Sequence, residues 1–287
     1  MNLKDIAGLF KVAAVNWMHD YAQSMGAALA FYTMFSIAPL LLIVITVAGF
    51  FFSEAAVHNV IFAQLDAVLG AAGAMAVQGL LENATKPEES IRAPVFGLIF
   101  LFIGATSVFA ELQDALDRIW QAPQRERASG LWGLVRARLL SFGMILGIGF
   151  LLIVSLAFSA GLSALSRWFD PFSTGWVTIA HASELTLSVL LWTAVFAMIY
   201  KTMPRVSIHW TDVWIGAAVT SILFIAGKFL IGAYIGKSTV STSFGAAASL
   251  IVVLLWVYYS AQILLFGAEF TWAYSNQFGS RKGGKPN

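Results

Sequence analysis

The sequence contains no cysteine and few charged residues. The lack of cysteine excludes disulfides, thiolate nucleophiles and zinc or iron–sulfur sites with cysteine ligands. Charged residues make up only 11% of the 287 residues, whereas hydrophobic residues make up 59%. A soluble globular domain carries about 25% charged residues. The composition therefore predicts an integral membrane protein.

Histidine is also scarce, and its four residues fall in separate regions: His19, His58, His181 and His209. A metal-dependent nuclease needs clustered His, Asp and Glu ligands in water. No such cluster is visible in the sequence, and no nucleophile with a base shares a credible helix face. We therefore predict a protein that is not an enzyme and that needs no metal or other cofactor.

Six apolar runs are long enough to cross a membrane as helices, which takes about 20 residues each. They lie near 27–52, 93–112, 139–165, 177–200, 212–235 and 246–272. The segment 57–81 is apolar but is interrupted by polar residues, which favours an interfacial or re-entrant helix, with a seventh span as the alternative. The predicted fold is all-α: a polytopic membrane protein with six transmembrane helices plus this outer-side helix.

The same runs divide the chain into three predicted segments. Residues 1–26 form a cytoplasmic amphipathic segment, and 27–275 form the transmembrane domain, in which 53–92 lies on the outer side. Residues 276–287 form a flexible basic tail in the cytoplasm, near anionic lipid headgroups.

The distribution of Lys and Arg predicts the orientation. With six spans, twelve of the 17 cations fall on one side of the membrane: Lys4, Lys11, Arg118, Arg125, Arg127, Arg136, Arg138, Lys201, Arg205, Arg281, Lys282 and Lys285. Four fall on the other side, and one lies within a span. Cytoplasmic loops collect Lys and Arg, so both ends of the chain are predicted to be cytoplasmic. The same rule accounts for the basic group at 125–138, and we predict no nucleic-acid binding.

The stretch "GATSVFAELQDALDRIW" begins as membrane and ends as a charged helical turn. We interpret it as the exit of a helix into the cytoplasm, with Asp114 and Arg118 as an i, i+4 pair, instead of a catalytic carboxylate cluster. Glu111 lies one turn earlier. Together with Arg136 and Arg138, which open the third predicted span, these residues form a candidate cytoplasmic exit cluster.

Glu269, near the cytoplasmic end of the last predicted span, could meet the same two arginines. Such a ring of charges is typical of ordinary helix ends, and a gate is the alternative. Its neighbours Gly267 and Ala268 are small, so they favour close helix contact, which would bury the carboxyl group.

The first predicted span carries Tyr32, Ser36 and Pro39. Proline removes a backbone donor, and a nearby Ser or Thr can help to re-satisfy the backbone. One interpretation is a tolerated kink, and the other is a polar, water-accessible pocket that the kink opens.

Two further charges lie within predicted spans, where each costs about 2.5–3.5 kcal/mol on insertion scales. Glu184 and Lys228 lie at similar depths from the outer side. We therefore predict that they approach each other, with a lone Lys228 extending its ammonium group to the interface as the alternative.

Four stretches together resemble the YihY/BrkB family: "ALAFYTMFSIAPLLLIVITVAGFFF", "LQDALDRIW", "MIYKTMPRVSIHWTDVWIGA" and "ASLIVVLLWVYYSAQILLFGAEFTWAY". The likeness covers nearly the whole chain. It implies a six-helix protein of the bacterial inner membrane, and it favours transport, including transport of lipids, as the function.

We therefore predict a bacterial inner-membrane transport protein that handles lipids or a small solute through a polar cavity between helices. The candidate path residues are Tyr32, Ser36, Pro39, Glu184, Lys228 and Glu269. Membrane lipids are the expected partners, and an envelope protein is a further candidate. The alternatives are a membrane scaffold or envelope assembly factor and, third, an intramembrane enzyme.

Overall fold

The structure is a computed structural model that describes residues 2–49, 59, 61–63, 65–66, 74–75, 77–79, 107–122, 174–237 and 248–282. All regular secondary structure in these ranges is helical. Its main helices are α1 (Leu3–His19), α2 (Ala22–Gly49), α3 (described over 107–119), α4 (Thr174–Thr202), α5 (Trp210–Lys237) and α6 (Ala248–Gln277). The predicted all-α class is confirmed.

Three stretches within the described ranges are long and apolar enough to cross a membrane: Leu185–Thr202, Trp210–Ala233 and Leu250–Gln277. They match the predicted spans near 177–200, 212–235 and 246–272. The predicted span near 139–165 and most of the one near 93–112 lie outside the described residues. The count of six therefore stays a prediction, as does the placement of 57–81, of which the described residues are helical.

The end of α3 is set by a residue in the left-handed backbone region. Gln121 has φ 49°, and its N–H donates to the carbonyl of Arg118 at 3.1 Å. The N–H of Ala122 reaches back to the carbonyl of Asp117 at 2.8 Å. This pair of bonds is a Schellman motif, which satisfies carbonyls that would otherwise lack a helical partner.

The described residues divide into two compact units. Unit 1 comprises Met1–Asn16, Leu116–Leu223 and Phe266–Asn287, and unit 2 comprises Trp17–Ala115 and Phe224–Leu265. Helices α5 and α6 each contribute residues to both units.

In unit 1, α1 packs against the C-terminal half of α6. Leu9 and Ala13 form a buried cluster with Phe270 and Ala273, and each is at most 2% exposed. The ring of Phe10 adds a contact with Phe270 at 5.0 Å between centroids. One face of the predicted amphipathic segment is therefore covered by protein.

In unit 2, α6 contacts both α2 and α5 through residues that lack a side chain. Gly26 of α2 lies directly under the amide of Gln262, whose Nε2 is 3.3 Å from the carbonyl of Ala22. Gly227 of α5 lies under the ring of Tyr259, so a Cβ there would be 2.5 Å from the tyrosine hydroxyl. These contacts bring helix backbones close together, as is typical of membrane helices.

Candidate functional site

Buried polar side chains in unit 1 come from α4, α5 and α6, the helices that carry the candidate spans. We call five of them the hydroxyl cluster: Thr193, Tyr200, Thr220, Ser221 and Thr271. Each is at most 6% exposed. Polar groups inside membrane bundles serve either to hold helices together or to line a path, so this cluster is a candidate site.

Helices α5 and α6 contact each other through two reciprocal glycine–threonine pairs. A Cβ at Gly216 of α5 would overlap the side chain of Thr271 of α6, and one at Gly267 of α6 would overlap the side chain of Thr220 of α5. Each threonine also donates to the carbonyl of the glycine on its own helix, at 2.7 Å for Thr220 and 2.6 Å for Thr271. The threonine hydroxyls are thereby satisfied within their own helices while their side chains fill the space left by the opposite glycine.

Tyr200 of α4 joins this contact. Its hydroxyl lies 3.1 Å from Oγ1 of Thr220. Because the Thr220 hydrogen already points to the Gly216 carbonyl, Tyr200 is the donor. Tyr200 is fully buried, so this bond offsets the cost of removing its hydroxyl from water.

Thr193 of α4 and Ser221 of α5 form the second link between these helices, at 2.8 Å between hydroxyl oxygens. Each hydroxyl also lies within hydrogen-bond distance of a carbonyl on its own helix, Val189 for Thr193 and Ala218 for Ser221. The two hydroxyl hydrogens are therefore shared among three possible hydrogen bonds. The pair can exchange donor and acceptor roles, which is a property useful for passing a proton or holding a polar guest.

Glu269 is 1% exposed and lies eight residues before the end of α6, about 12 Å along the helix axis. The expected close contact at Gly267 and the expected burial of Glu269 are both confirmed. Glu269 lies two residues before Thr271, so it does not share that residue's face of α6. Arg136 and Arg138, its predicted partners, lie outside the described residues.

A second group of polar residues forms contacts between the helix ends of unit 1. Asp117 of α3 accepts a hydrogen bond from the backbone N–H of Arg205 at 2.7 Å and forms an ion pair with its guanidinium at 3.2 Å. Arg205 belongs to the loop between α4 and α5. One carboxylate therefore fixes both the backbone and the side chain of the same loop residue.

The turn after α6 also contacts the start of α5 and the loop that precedes it. Asp212, in the first turn of α5 and 1% exposed, accepts bonds from the N–H and hydroxyl of Ser280 at 3.1 and 2.6 Å. The Arg281 guanidinium lies 5.1 Å from the Trp120 ring centroid and donates to the Ser207 carbonyl at 3.3 Å. These contacts join α3, the α4–α5 loop and the end of α6.

The path candidates of α2 lie in unit 2. Tyr32 is half-buried and Ser36 is 7% exposed. The Ser36 hydroxyl lies 3.1 Å from the carbonyl of Thr33 and 3.3 Å from that of Tyr32, so its hydrogen is directed to its own helix. α2 continues through Pro39 to Gly49, and the side chain of Pro39 is not among those that the structure describes.

The predicted approach of Glu184 and Lys228 stays a prediction. Glu184 lies in α4, but its side chain is outside the described part of the chain. The ammonium of Lys228 lies 5.6 Å from the ring centroid of Phe229, the next residue of α5. Lys228 is half-buried.

The exit-cluster residues of α3 differ in exposure. Glu111 is half-buried, whereas Asp114 and Arg118 are exposed at i, i+4 spacing on one helix. Their predicted roles stay predictions. In the ranges that the structure describes, no three His, Asp or Glu side chains gather where they could hold a metal ion.

Sequence reasoning missed the hydroxyl cluster, although a signal for it is present. The pentapeptides "GAAVT" of α5 and "GAEFT" of α6 share the spacing Gly-x-x-x-Thr, which places a small residue and a hydroxyl on one helix face. The helix-end contacts have no comparable local signal. Asp117 and Arg205 are 88 residues apart, and Asp212 and Ser280 are 68 apart.

Comparison with known proteins gives one family. A family model described as "Virulence factor BrkB" matches residues 13–287. A "UPF0761 membrane protein" of Pseudomonas aeruginosa (strain LESB58) is 28% identical over 89% of this chain and 60% of its own length. Proteins of the same description from Legionella pneumophila (strain Philadelphia 1) and Vibrio atlanticus are also 28% identical, over 94% and 90% of this chain and 62% and 80% of their own lengths. The chain thus spans less than two thirds of the first two relatives. No solved structure matches it.

Proposed function

The chain belongs to the virulence factor BrkB family of membrane proteins, and on that premise we propose that it transports a lipid or a small solute across a bacterial inner membrane. Both termini lie in the cytoplasm in this proposal, as the distribution of Lys and Arg favours. The proposed path runs along buried polar groups of α4, α5 and α6: Glu269 on one face of α6, and the hydroxyl cluster where the three helices meet on another.

The burial of Glu269 is the observation that carries the proposal. An acidic group within a membrane-spanning helix is costly, and such groups most often mark substrate paths or ion relays. Glu269 is 1% exposed and follows a glycine at which two other helices approach α6. A charge used only to end a helix would be expected at the surface, where water stabilises it.

The hydroxyl cluster supports the same function. Hydroxyls that can both donate and accept are suited to a guest whose polar groups change as it moves, and the Thr193–Ser221 pair has this freedom. A lipid headgroup and a small polar solute both fit this chemistry, and the acyl chains of a lipid would stay in the bilayer.

A membrane scaffold is the second candidate, and one observation favours it. Most hydroxyls of the cluster are satisfied by each other or by their own helix, as a static bundle requires. A scaffold needs Glu269 for stability or partner binding, whereas a transporter needs it for flux.

The test is lipid translocation in proteoliposomes containing fluorescent phospholipid, with dithionite added outside. Wild type is expected to expose inner-leaflet label that empty liposomes protect. Glu269→Gln keeps the size of the side chain and removes its charge, and it is expected to slow this exposure. Asp20→Asn, in the turn between α1 and α2, is the matched control and should behave as wild type.

Each result has a defined meaning. Slow translocation by a folded Glu269→Gln variant supports transport through this site. Wild type that matches empty liposomes contradicts lipid translocation by the chain alone. A Glu269→Gln variant that is less stable but equally active favours the scaffold.

A further inference from the structure

The start of α5 presents two tryptophans on the surface of unit 1. Trp210 and Trp214 are 52% and 47% exposed, and their rings stack with centroids 6.5 Å apart. They open a candidate membrane span. Farther along α5, Ile215 and Ile222 are also exposed and lie seven residues apart, hence on one face. Tryptophan is enriched where spans meet the membrane–water interface, so exposed indoles at the start of a candidate span are well placed to contact lipid.

A cation lies beside the first of these two indoles. The ammonium group of Lys201, near the end of α4, lies 5.4 Å from the ring centroid of Trp210. It also donates to the carbonyl of Ile208, which holds the end of its chain in place. An ammonium group has three hydrogens, so hydrogens remain for another acceptor. Lys201 is half-buried, so one side of it faces the surface.

In unit 1, acids and cations differ in how far they are buried. Four acids have described side chains there. Asp212 and Glu269 are 1% exposed, the Asp117 side chain is 12% exposed and paired with Arg205, and Asp5 caps α1 by accepting from the N–H of Asn2. The described cations of the unit are all exposed or half-exposed: Lys4, Lys11, Arg118, Lys201, Arg205, Arg281 and Lys282. Among the described residues of unit 1, cations therefore outnumber acids at the surface, and a negatively charged partner complements them.

We propose that Lys201, Trp210 and Trp214 form a binding site for the headgroup of an anionic phospholipid. The phosphate accepts from the Lys201 ammonium, and the stacked indoles pack against the glycerol and the first methylenes of the acyl chains. The exposed Thr211 and His209, beside Trp210, supply further hydrogen-bond donors to the headgroup. The proposal goes beyond transport, because a lipid held at this surface does not need to cross the membrane.

The two indoles and the ammonium group together favour an anionic phospholipid over other ligands. Two exposed indoles continuous with an apolar helix face match the apolar part of a lipid, which a free phosphate ion lacks. One cation beside them distinguishes an anionic headgroup from a zwitterionic one, because the choline of phosphatidylcholine would add a positive charge beside Lys201. A single nearby cation is worth about 1 kcal/mol at a membrane surface, which corresponds to a preference of about fivefold.

The experiment is fluorescence quenching of the full chain in vesicles that contain brominated phosphatidylglycerol or brominated phosphatidylcholine. Comparison of wild type with a Trp210→Phe, Trp214→Phe variant isolates the quenching of this pair from that of the other eight tryptophans. Lys201→Gln removes the proposed phosphate contact, and Lys201→Arg keeps a cation. Lys11→Gln, an exposed cation on α1, is the matched control.

Wild type is expected to prefer phosphatidylglycerol at the pair about fivefold. Lys201→Gln should remove this preference, whereas Lys201→Arg and Lys11→Gln should retain it. Salt at about 1 M, where the Debye length is about 3 Å, should also weaken it. Free glycerol phosphate should not compete, since it lacks acyl chains.

Several results would overturn the proposal. One is equal quenching of the pair by the two lipids in wild type. A second is an unchanged preference in Lys201→Gln, and a third is an equal loss in Lys11→Gln, which would indicate a diffuse surface charge. Competition by free glycerol phosphate would indicate an anion site without lipid selectivity. Weak quenching by both lipids, together with a dimer that Trp214→Leu dissociates, would identify the surface as a contact between two copies of the chain.

Discussion

Thr271 of α6 occupies the space that a side chain at Gly216 of α5 would need. The same relationship holds in reverse between Thr220 and Gly267, so the two helices interlock at two levels one turn apart. Without a hydrophobic driving force between helices in lipid, such packing contributes directly to helix association.

We expect Gly216→Ala and Gly267→Ala to destabilise the protein. The added methyl group overlaps a threonine side chain on the facing helix, and overpacking of this kind costs about 1–3 kcal/mol. The measurement is the thermal unfolding midpoint in detergent micelles. Gly8→Ala is the matched control, because nothing lies within 4 Å of a Cβ at Gly8 of α1. Alanine there should be neutral or stabilising by about 0.5–1 kcal/mol, and an equal loss in all three variants would contradict the packing argument.

The bond between Tyr200 and Thr220 should be visible as a coupling energy. Tyr200→Phe and Thr220→Val each remove one hydroxyl at nearly constant volume, and a double-mutant cycle isolates their interaction. We expect about 0.6 kcal/mol and at most about 1.7 kcal/mol, the range measured for bonds between membrane helices. The control cycle pairs Tyr200→Phe with Thr186→Val, since the exposed Thr186 donates to the carbonyl of Ala182 in its own helix. Coupling in that control would show that the variants act through a general change in the bundle.

Replacing Asp117 should loosen the loop between α4 and α5 more than replacing Arg205, with which it forms an ion pair. Arg205 is 44% exposed, so the ion pair itself contributes about 0–1 kcal/mol. Asp117→Ala also removes the acceptor of the Arg205 N–H, whereas Arg205→Ala retains that N–H and its acceptor. Hydrogen exchange at residue 205 should therefore accelerate in Asp117→Ala and stay slow in Arg205→Ala. Fast exchange in both variants would mean that the side-chain ion pair holds the loop.

Glycine at the end of α3 should stabilise the protein. Gln121 has φ 49°, a region that costs a residue with a Cβ about 1 kcal/mol and that glycine adopts readily. Gln121→Gly is thus expected to raise the free energy of unfolding by up to about 1 kcal/mol. Gln113→Gly, within α3, should lower it by about 1 kcal/mol, because glycine is a poor helix former. Shifts of the same sign in chemical denaturation would contradict the role of backbone conformation.

In the ranges that the structure describes, hydrophobicity alone was enough to predict three of the long helices. The apolar runs that became α4, α5 and α6 were located to within about five residues, because lipid admits only helices or closed barrels. The burial of Glu269 was also predictable, since Gly267 and Ala268 permit close approach.

Contacts between distant residues could not be predicted in this way. An exposed acid near a helix end is compatible with many cations, so nothing local selects Arg205 as the partner of Asp117. The α1 pattern likewise indicates that one face is apolar but does not identify α6 as the surface that covers it. The two Gly-x-x-x-Thr motifs could have been found, because their spacing is readable on each helix without knowledge of the other.

The packing of α1 on α6 has a consequence for biosynthesis. Leu9 and Phe270, which meet in one buried cluster, are separated by 261 positions in the chain. A ribosome adds about 5–20 residues per second, so the apolar face of α1 waits for roughly 13–50 s before its partner exists. During that interval the apolar face of α1 must be covered by other groups, and it stays accessible to proteases and chaperones until α6 has been made.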